Sequence, residues 1–357
     1  MAQKMTPHAR LPLRVRLQIA KEMMEAFFPI KADKIKTALG DPNPEQVFLP
    51  LSLNQFMQYA KAVELVEDPW VIGTQIAAIA DELTRAGFLN RMQGSGGPPW
   101  GDCFHTGFGG ITKAQAGGDL WLARGLGPEF VIKSFMPATV AVVGTTGDGS
   151  QTAGTGLLLD DRHVLTNRHV VTDMSVEFVE TSSAAPPTAE VASVATTRLE
   201  IADIRSHSAV DSPGKELDVA IVEVAGLEGA PGLTGGMAFR NPEWSDSVWT
   251  FGYPPVPMTR ERTLVVHSGG VVNPEVMDYA GNNLMLFSAV ARPGNSGGPI
   301  VAADGRVVGI VAQELRTDKS LESPFYAGVP THEIQRALVD MGYADLLNVE
   351  LWQSLRG

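Results

Sequence analysis

Cysteine is nearly absent from this sequence: Cys103 is the only one in 357 residues. One cysteine closes no internal disulfide, so the fold depends on no oxidising compartment. Long apolar runs are missing as well. No stretch of about 18 apolar residues occurs, which excludes a helical membrane span. The basic start, MAQKMTPHARLPLRVRLQIAKEMM, lacks the uninterrupted apolar core of a secretory signal, so the cytoplasm is the expected location. No glycine-rich loop stands between a strand and a helix in the phosphate-binding pattern, and no cofactor is expected. Cys103 and His105 form a C-x-H pair, but two candidate ligands do not fill a zinc site, and no metal is expected.

Positive charge is short in one half only. Residues 1–130 carry 13 basic and 13 acidic residues, whereas 131–357 carry 15 and 27, which accounts for the net charge of -12. An acidic C-terminal half argues against a grip on a nucleic-acid backbone. Residues 1–36 hold eight basic and three acidic residues, the pattern of a solvated helix face or of a surface for an acidic partner.

Turn formers are abundant, with 37 glycines and 24 prolines. They favour many short strands over a helical bundle. The first part nevertheless reads as helical, over residues 10–92. RVRLQIAKEMMEAFF places Leu17, Ile19, Ala20, Met23, Met24 and Phe27 at spacings near three and four. LNQFMQYAKAVEL repeats the pattern. WVIGTQIAAIADELTRAGFLN repeats it again, with Gly87 where a helix C-cap belongs. Residues 94–127 are glycine-rich but interrupted by aromatics, which predicts irregular structure or a short hairpin, then a linker. Helices followed by such a hairpin resemble a winged-helix module. From about residue 137 the texture becomes strands: ATVAVVG, GTGLLLD, HVLTNRHVV, VAIVEV, SVWTFGY, TLVVHSGGVV, LMLFSAV, PIVAAD, RVVGIVAQ and FYAGVP. Many short Val- and Ile-rich strands between Gly/Pro turns indicate a barrel or sandwich. HEIQRALVDMGYADLL predicts a terminal helix.

The chemistry concentrates at RPGNSGGPIV, residues 292–301. A serine hydroxyl is a poor nucleophile unless a base, itself oriented by a partner, takes its proton. Backbone N–H groups must also face the developing oxyanion. Gly294 can take the positive φ that aligns its N–H with that of Ser296. A base can come from GTGLLLDDRHVLTNRHVV, which offers His163 and His169. His163 begins an apolar strand and reads as an edge or surface residue; His169 lies at the strand's far end, where a rim residue can reach a neighbour. Asp218, directly before the apolar VAIVEV, is the expected orienting acid, because a carboxylate there is costly unless paired. Glu216, Asp211 and Asp203 sit in more polar surroundings.

Residues 137–342 resemble a chymotrypsin-fold serine protease. The histidine motif is GTGLLLDDRHVLTNRHVV, the aspartate motif LDVAIVEV and the serine motif GNSGGPIV, in the order His, Asp, Ser. The bacterial Deg/HtrA-like type is the most similar. The resemblance implies a mainly β architecture: two six-stranded β-barrels with His169 and Asp218 from the first, Ser296 from the second, and Gly294 and Ser296 as oxyanion donors. It implies a serine endopeptidase acting on proteins or peptides through an acyl-enzyme. Val290, six before the serine, and Ala291 imply a pocket base without an acid, preferring a small or aliphatic residue. Ala312, Glu314 and Tyr326 would form its walls.

Departures from the family carry expectations of their own. Too little sequence follows Ser296 for a PDZ domain of the Deg type. Asn295 replaces the aspartate that pairs with a freshly cut N-terminus in digestive relatives, so N-terminal cleavage is not the expected switch. Ala312 replaces a serine that contacts the triad aspartate in many relatives, which lowers the expected basal activity. The expected organisation is a mostly α-helical adaptor over 1–130 that receives a regulatory protein partner, the protease over 131–345 and a tail over 346–357. An inactive protease-fold scaffold is the competing reading, and an adaptor that binds DNA is a third.

Overall fold

The computed structural model describes residues 10–28, 32–42, 50–92, 99–106, 117–187, 195–208, 216–226, 235–315 and 325–350. The chain divides into two compact units, one of Met1–Ile111 with Leu122–Phe130, the other of Thr112–Trp121 with Val131–Gly357.

The first unit contains helices α1 (Leu13–Ala26), α2 (Ala32–Ala38), α3 (Leu53–Ala62) and α4 (Gly73–Arg85), with strands β1 (Leu51–Ser52), β2 (Leu89–Met92) and β3 (Cys103–Thr106). The strands form an antiparallel sheet in the order β1-β3-β2. The apolar stripe of α1 faces inward: Leu17, Ile19, Ala20, Met23 and Phe27 are buried. Ser52 starts α3 with a capping box. Its hydroxyl accepts the Gln55 N–H at 3.2 Å, and the Gln55 side-chain oxygen Oε1 accepts the Ser52 N–H at 2.8 Å. Beyond the C-cap of α4, Gly87 takes φ +81°, a left-handed conformation that costs glycine nothing. Phe27 packs its ring against Phe56 and Phe104 at 5.6 and 5.4 Å. Among the described residues no cluster of three or more potential metal ligands occurs, and no helix is long and apolar enough to cross a membrane. Two further helices, α5 (Ala123–Leu126) and α6 (Pro128–Phe135), follow.

The second unit is mainly β. β4 (Thr139–Thr145), β5 (Gln151–Leu158), β6 (His163–Thr166), β7 (Ser175–Glu180), β8 (Arg198–Ser206) and β9 (Ala220–Val224) close a barrel in the order β4-β5-β6-β9-β8-β7. β10 (Ser247–Gly252), β11 (Val265–Met277), β12 (Asn283–Phe287), β13 (Pro299–Ala302), β14 (Val307–Leu315) and β15 (Phe325–Pro330) close a second in the order β10-β11-β12-β15-β14-β13. Each barrel is filled by its own inward side chains. Val140, Val142, Leu158, Val164, Val179 and Val222 form the first core, and Val248, Met285, Phe287, Ile300, Val308 and Val311 the second. Closure leaves no sheet edge unpaired.

One expectation is corrected, and two strands were not anticipated. HVLTNRHVV is not one strand: β6 ends at Thr166, and Arg168–Thr172 form a one-turn helix, α7. The strands β7 and β8 carry mixed faces, largely exposed, and so show no apolar run. The terminal helix α8 spans Thr331–Asp340. Part of the expected tail is paired, since Phe239 and Glu350 donate their N–H groups to the carbonyls of Asn348 and Phe239 at 2.8 and 2.7 Å.

Candidate active site

Strand register brings the first two residues together. Thr166 of β6 faces Ala220 of β9. His169 lies three residues beyond one partner, on α7, and Asp218 two residues before the other. His169 Nδ1 is 2.8 Å from Asp218 Oδ2, and the His169 backbone N–H donates to Asp218 Oδ1 at 2.9 Å. The aspartate therefore grips both the ring and the main chain of the histidine. Asn167 adds a third tie, its Nδ2 donating to the Asp218 carbonyl at 2.8 Å. With Nδ1 engaged by the carboxylate, the ring proton sits there and Nε2 is left as a base. Burial lowers the tendency of His169 to hold a proton. The hydrogen bond to Asp218, the Asp218 charge and the more distant Asp173 charge outweigh it, and the ring titrates above its ordinary 6.5.

Ser296 comes from the loop before β13. The loop turns where Gly294 takes φ +94° and Gly297 φ +85°. Neither could carry a side chain: a Cβ on Gly294 would stand 2.7 Å from the Tyr253 carbonyl oxygen, and one on Gly297 2.1 Å from that of Thr155. The intervening N–H groups are occupied: Asn295 donates to Arg292 O, Gly297 to Val311 O and Gly298 to Asn295 O. Among the described residues those of Gly294 and Ser296 have no such acceptor. The Ser296 hydroxyl donates to the Ala312 carbonyl at 3.0 Å.

One threonine stitches this loop to the first barrel. Thr155 of β5 donates its N–H to the Ser296 carbonyl (2.8 Å) and its hydroxyl to the Gly294 carbonyl (2.6 Å). The same hydroxyl accepts the Tyr253 N–H at 3.0 Å, and the Thr155 carbonyl accepts the Thr166 hydroxyl at 2.7 Å. Sequence reasoning missed Thr155; its only signal was its place between Gly154 and Gly156.

His169, Asp218 and Ser296 all line one cavity of about 820 Å³. Ala291, Ala312, Val311, Val329 and Leu284 supply its apolar wall. Val290 and Tyr326 are half-buried and are not among the lining residues; Tyr326 stacks on Phe287 at 6.2 Å. Glu314 pairs with Tyr326 in register, and its side chain lies outside the described residues, as does Asp211. His163 is held elsewhere, with Nδ1 2.7 Å from Asp160. Asp203 is exposed beside Arg205, whereas Glu216 lines the cavity. Asn295 is buried, and its side-chain amide atoms find no hydrogen-bond partner among the described residues. An aspartate in its place would be a buried charge in need of a partner.

Residues 154–310 match the family model of the trypsin-like peptidase domain. Over that segment, which is under half of the chain, the sequence is similar to trypsin-like peptidase domains. The mitochondrial Protease Do-like 4 of Arabidopsis thaliana is 27% identical over 192 residues, which is 53% of this chain and 32% of that protein. The chain therefore spans about a third of the length of that relative. Among solved structures, a serine endoprotease from Yersinia pestis is 18% identical, with 61% of this chain and 66% of that one covered at a TM-score of 0.42. A protease from M. tuberculosis in its active form is 19% identical, with 59% and 84% covered at 0.41. The segment matched by the family model contains His169, Asp218 and Ser296.

Proposed function

We propose that the peptidase domain is a serine endopeptidase in which Ser296 is the nucleophile, His169 its base and Asp218 the group that orients the base. Ser296 Oγ attacks the scissile carbonyl while His169 Nε2 takes its proton. The oxyanion that forms is met by the Gly294 and Ser296 N–H groups. His169 then returns the proton to the departing amine, leaving an acyl-enzyme that water opens by the same steps in reverse roles. The observation that carries this reading is the 2.8 Å pairing of His169 with Asp218 in the cavity that Ser296 also lines. Ala291 and Ala312, with Val311 and Val329, favour a small or aliphatic side chain before the cut bond. Hydrolysis of a casein substrate by the parent and by Ser296→Ala tests it. Removing the nucleophile should cost at least about 10³-fold; activity within tenfold of the parent would refute the assignment.

A low resting activity is the second reading, and one observation favours it. The Ser296 hydroxyl donates to Ala312, so it must rotate away before His169 can receive its proton. We assign the release to the helical unit, as an adaptor that binds a protein partner and biases the loops near 288–295. Its helices followed by the β2–β3 hairpin suit a winged-helix-like module.

A further inference from the structure

Asp218 sits at the apex of a three-residue turn: the Val219 N–H donates back to the Leu217 carbonyl at 2.8 Å. Both ends of this turn are held by a single residue, His207, just beyond β8. Its backbone N–H donates to the Val219 carbonyl at 3.0 Å. Its ring Nδ1 accepts the Leu217 N–H at 2.9 Å. Accepting an N–H fixes the tautomer, so the ring proton is on Nε2, where it faces Asp340 Oδ2 of α8 at 3.2 Å. His207 is 4% exposed and is not among the residues lining the cavity. Leu217 and Val219 are themselves buried, so water does not replace these bonds.

We propose that His207 is a positioning residue for Asp218, acting through Leu217, with α8 as its anchor. The proposal rests on the reading of Asp218 as the group that orients His169. An apex residue aims its carboxylate by the dihedral angles of the turn, and the turn keeps those angles while both ends are tied. Loss of the Nδ1 acceptor frees the Leu217 end and lets the carboxylate drift from the ring of His169.

Two substitutions separate this role from mere packing. In His207→Asn the amide oxygen reaches the position of Nδ1 and keeps the acceptor. In His207→Gln the amide nitrogen reaches the position of Nε2 and keeps the tie to Asp340 while the Nδ1 acceptor is lost. Peptide hydrolysis by the full chain should show kcat lowered roughly ten- to hundredfold in His207→Gln, with KM within about twofold, because a misplaced catalytic group costs rate and not binding. His207→Asn, which keeps the acceptor but loses the tie to Asp340, should lower kcat no more than severalfold. A ring needed only to fill space or anchor α8 would give the reverse order, or no difference, and either result overturns the proposal. If His207→Gln fails to fold, Asp340→Ala serves. It releases Nε2 alone and should lower kcat severalfold with KM unchanged; an unchanged kcat in the folded variant overturns the proposal. Asp218→Asn in the same assay tests the underlying reading. Parent-like activity there would sink the triad assignment, whereas a crippled Asp218→Asn beside an unaffected His207→Gln would sink only the role of His207.

Discussion

Replacing Gly297 by alanine tests how tightly the serine loop is built against the first barrel. Gly297 has φ +85°, and a Cβ there would lie 2.1 Å from the Thr155 carbonyl oxygen and 2.3 Å from Thr166 Oγ1. Those two atoms are themselves hydrogen-bonded at 2.7 Å, so the methyl group would wedge into an existing bond. The left-handed backbone should cost an alanine about 1–2 kcal/mol. Forcing a methyl group against fixed backbone should add about 1–3 kcal/mol. The sum, about 2–5 kcal/mol, corresponds to a fall of roughly 4–20 °C in Tm for a domain of this size. Three controls separate the contributions. Gly149 has φ +86° with nothing within 4 Å of a Cβ, so its alanine variant isolates the backbone cost. Gly298 has no positive φ, but its Cβ would meet the Phe251 carbonyl oxygen at 1.9 Å, which isolates the clash. Gly270 has only the Asp246 carbonyl oxygen near it, at 3.5 Å, and should tolerate alanine. Thermal unfolding of the four variants should rank Gly297 as the most damaging, Gly270 as neutral and the other two between. Stability of Gly297→Ala within about 1 kcal/mol of the parent, less than the backbone cost alone, would refute the packing described for this loop.

Three further outcomes are expected. Since His169 is raised above 6.5 mainly through Asp218, and the base works when neutral, the acid limb of kcat/KM should have its midpoint above 6.5. In Asp218→Asn the midpoint should move down, because burial then opposes the charge with only Asp173 against it, while kcat falls by about 10⁴-fold; an unmoved midpoint would contradict the attribution. Thr155→Val keeps the shape but removes the hydroxyl bonds to Gly294 and Tyr253. It should cost about 1–3 kcal/mol of stability and slow acylation; an unaffected acylation rate would show that this stitch does not hold the serine loop.

The parts of the site that lie in local turns were legible in the sequence. Gly294, Ser296 and Gly297 belong to one short loop whose conformation the glycines dictate. Asp218 stood out because a carboxylate beside an apolar strand needs a partner. What depends on register or on distant packing was not legible. Thr155 acts through bonds to residues more than 90 positions away, and its only local mark is the glycine on either side. His207, in RSHSAV, looks like a loop residue until β8, Leu217 and α8 meet around it. The barrels were readable from their Val-rich strands, but β7 and β8 have half-exposed faces and escaped the pattern. Leu284 and Val329 belong to strands recognised as such, yet only closure of the second barrel turns them toward the cavity.

The site of covalent labelling tests the central claim most directly. A fluorophosphonate reacts with an activated serine and barely with an ordinary hydroxyl, so the adduct reports the nucleophile and its base together. The native full-length chain is incubated with the reagent and the modified residue mapped by peptide mass spectrometry, in parallel with His169→Ala. One adduct per chain on Ser296, lost when His169 is removed, is the expected result. A native, folded chain that stays unlabelled at Ser296, or one labelled equally well without His169, contradicts the assignment of this cleft as a serine-peptidase active site.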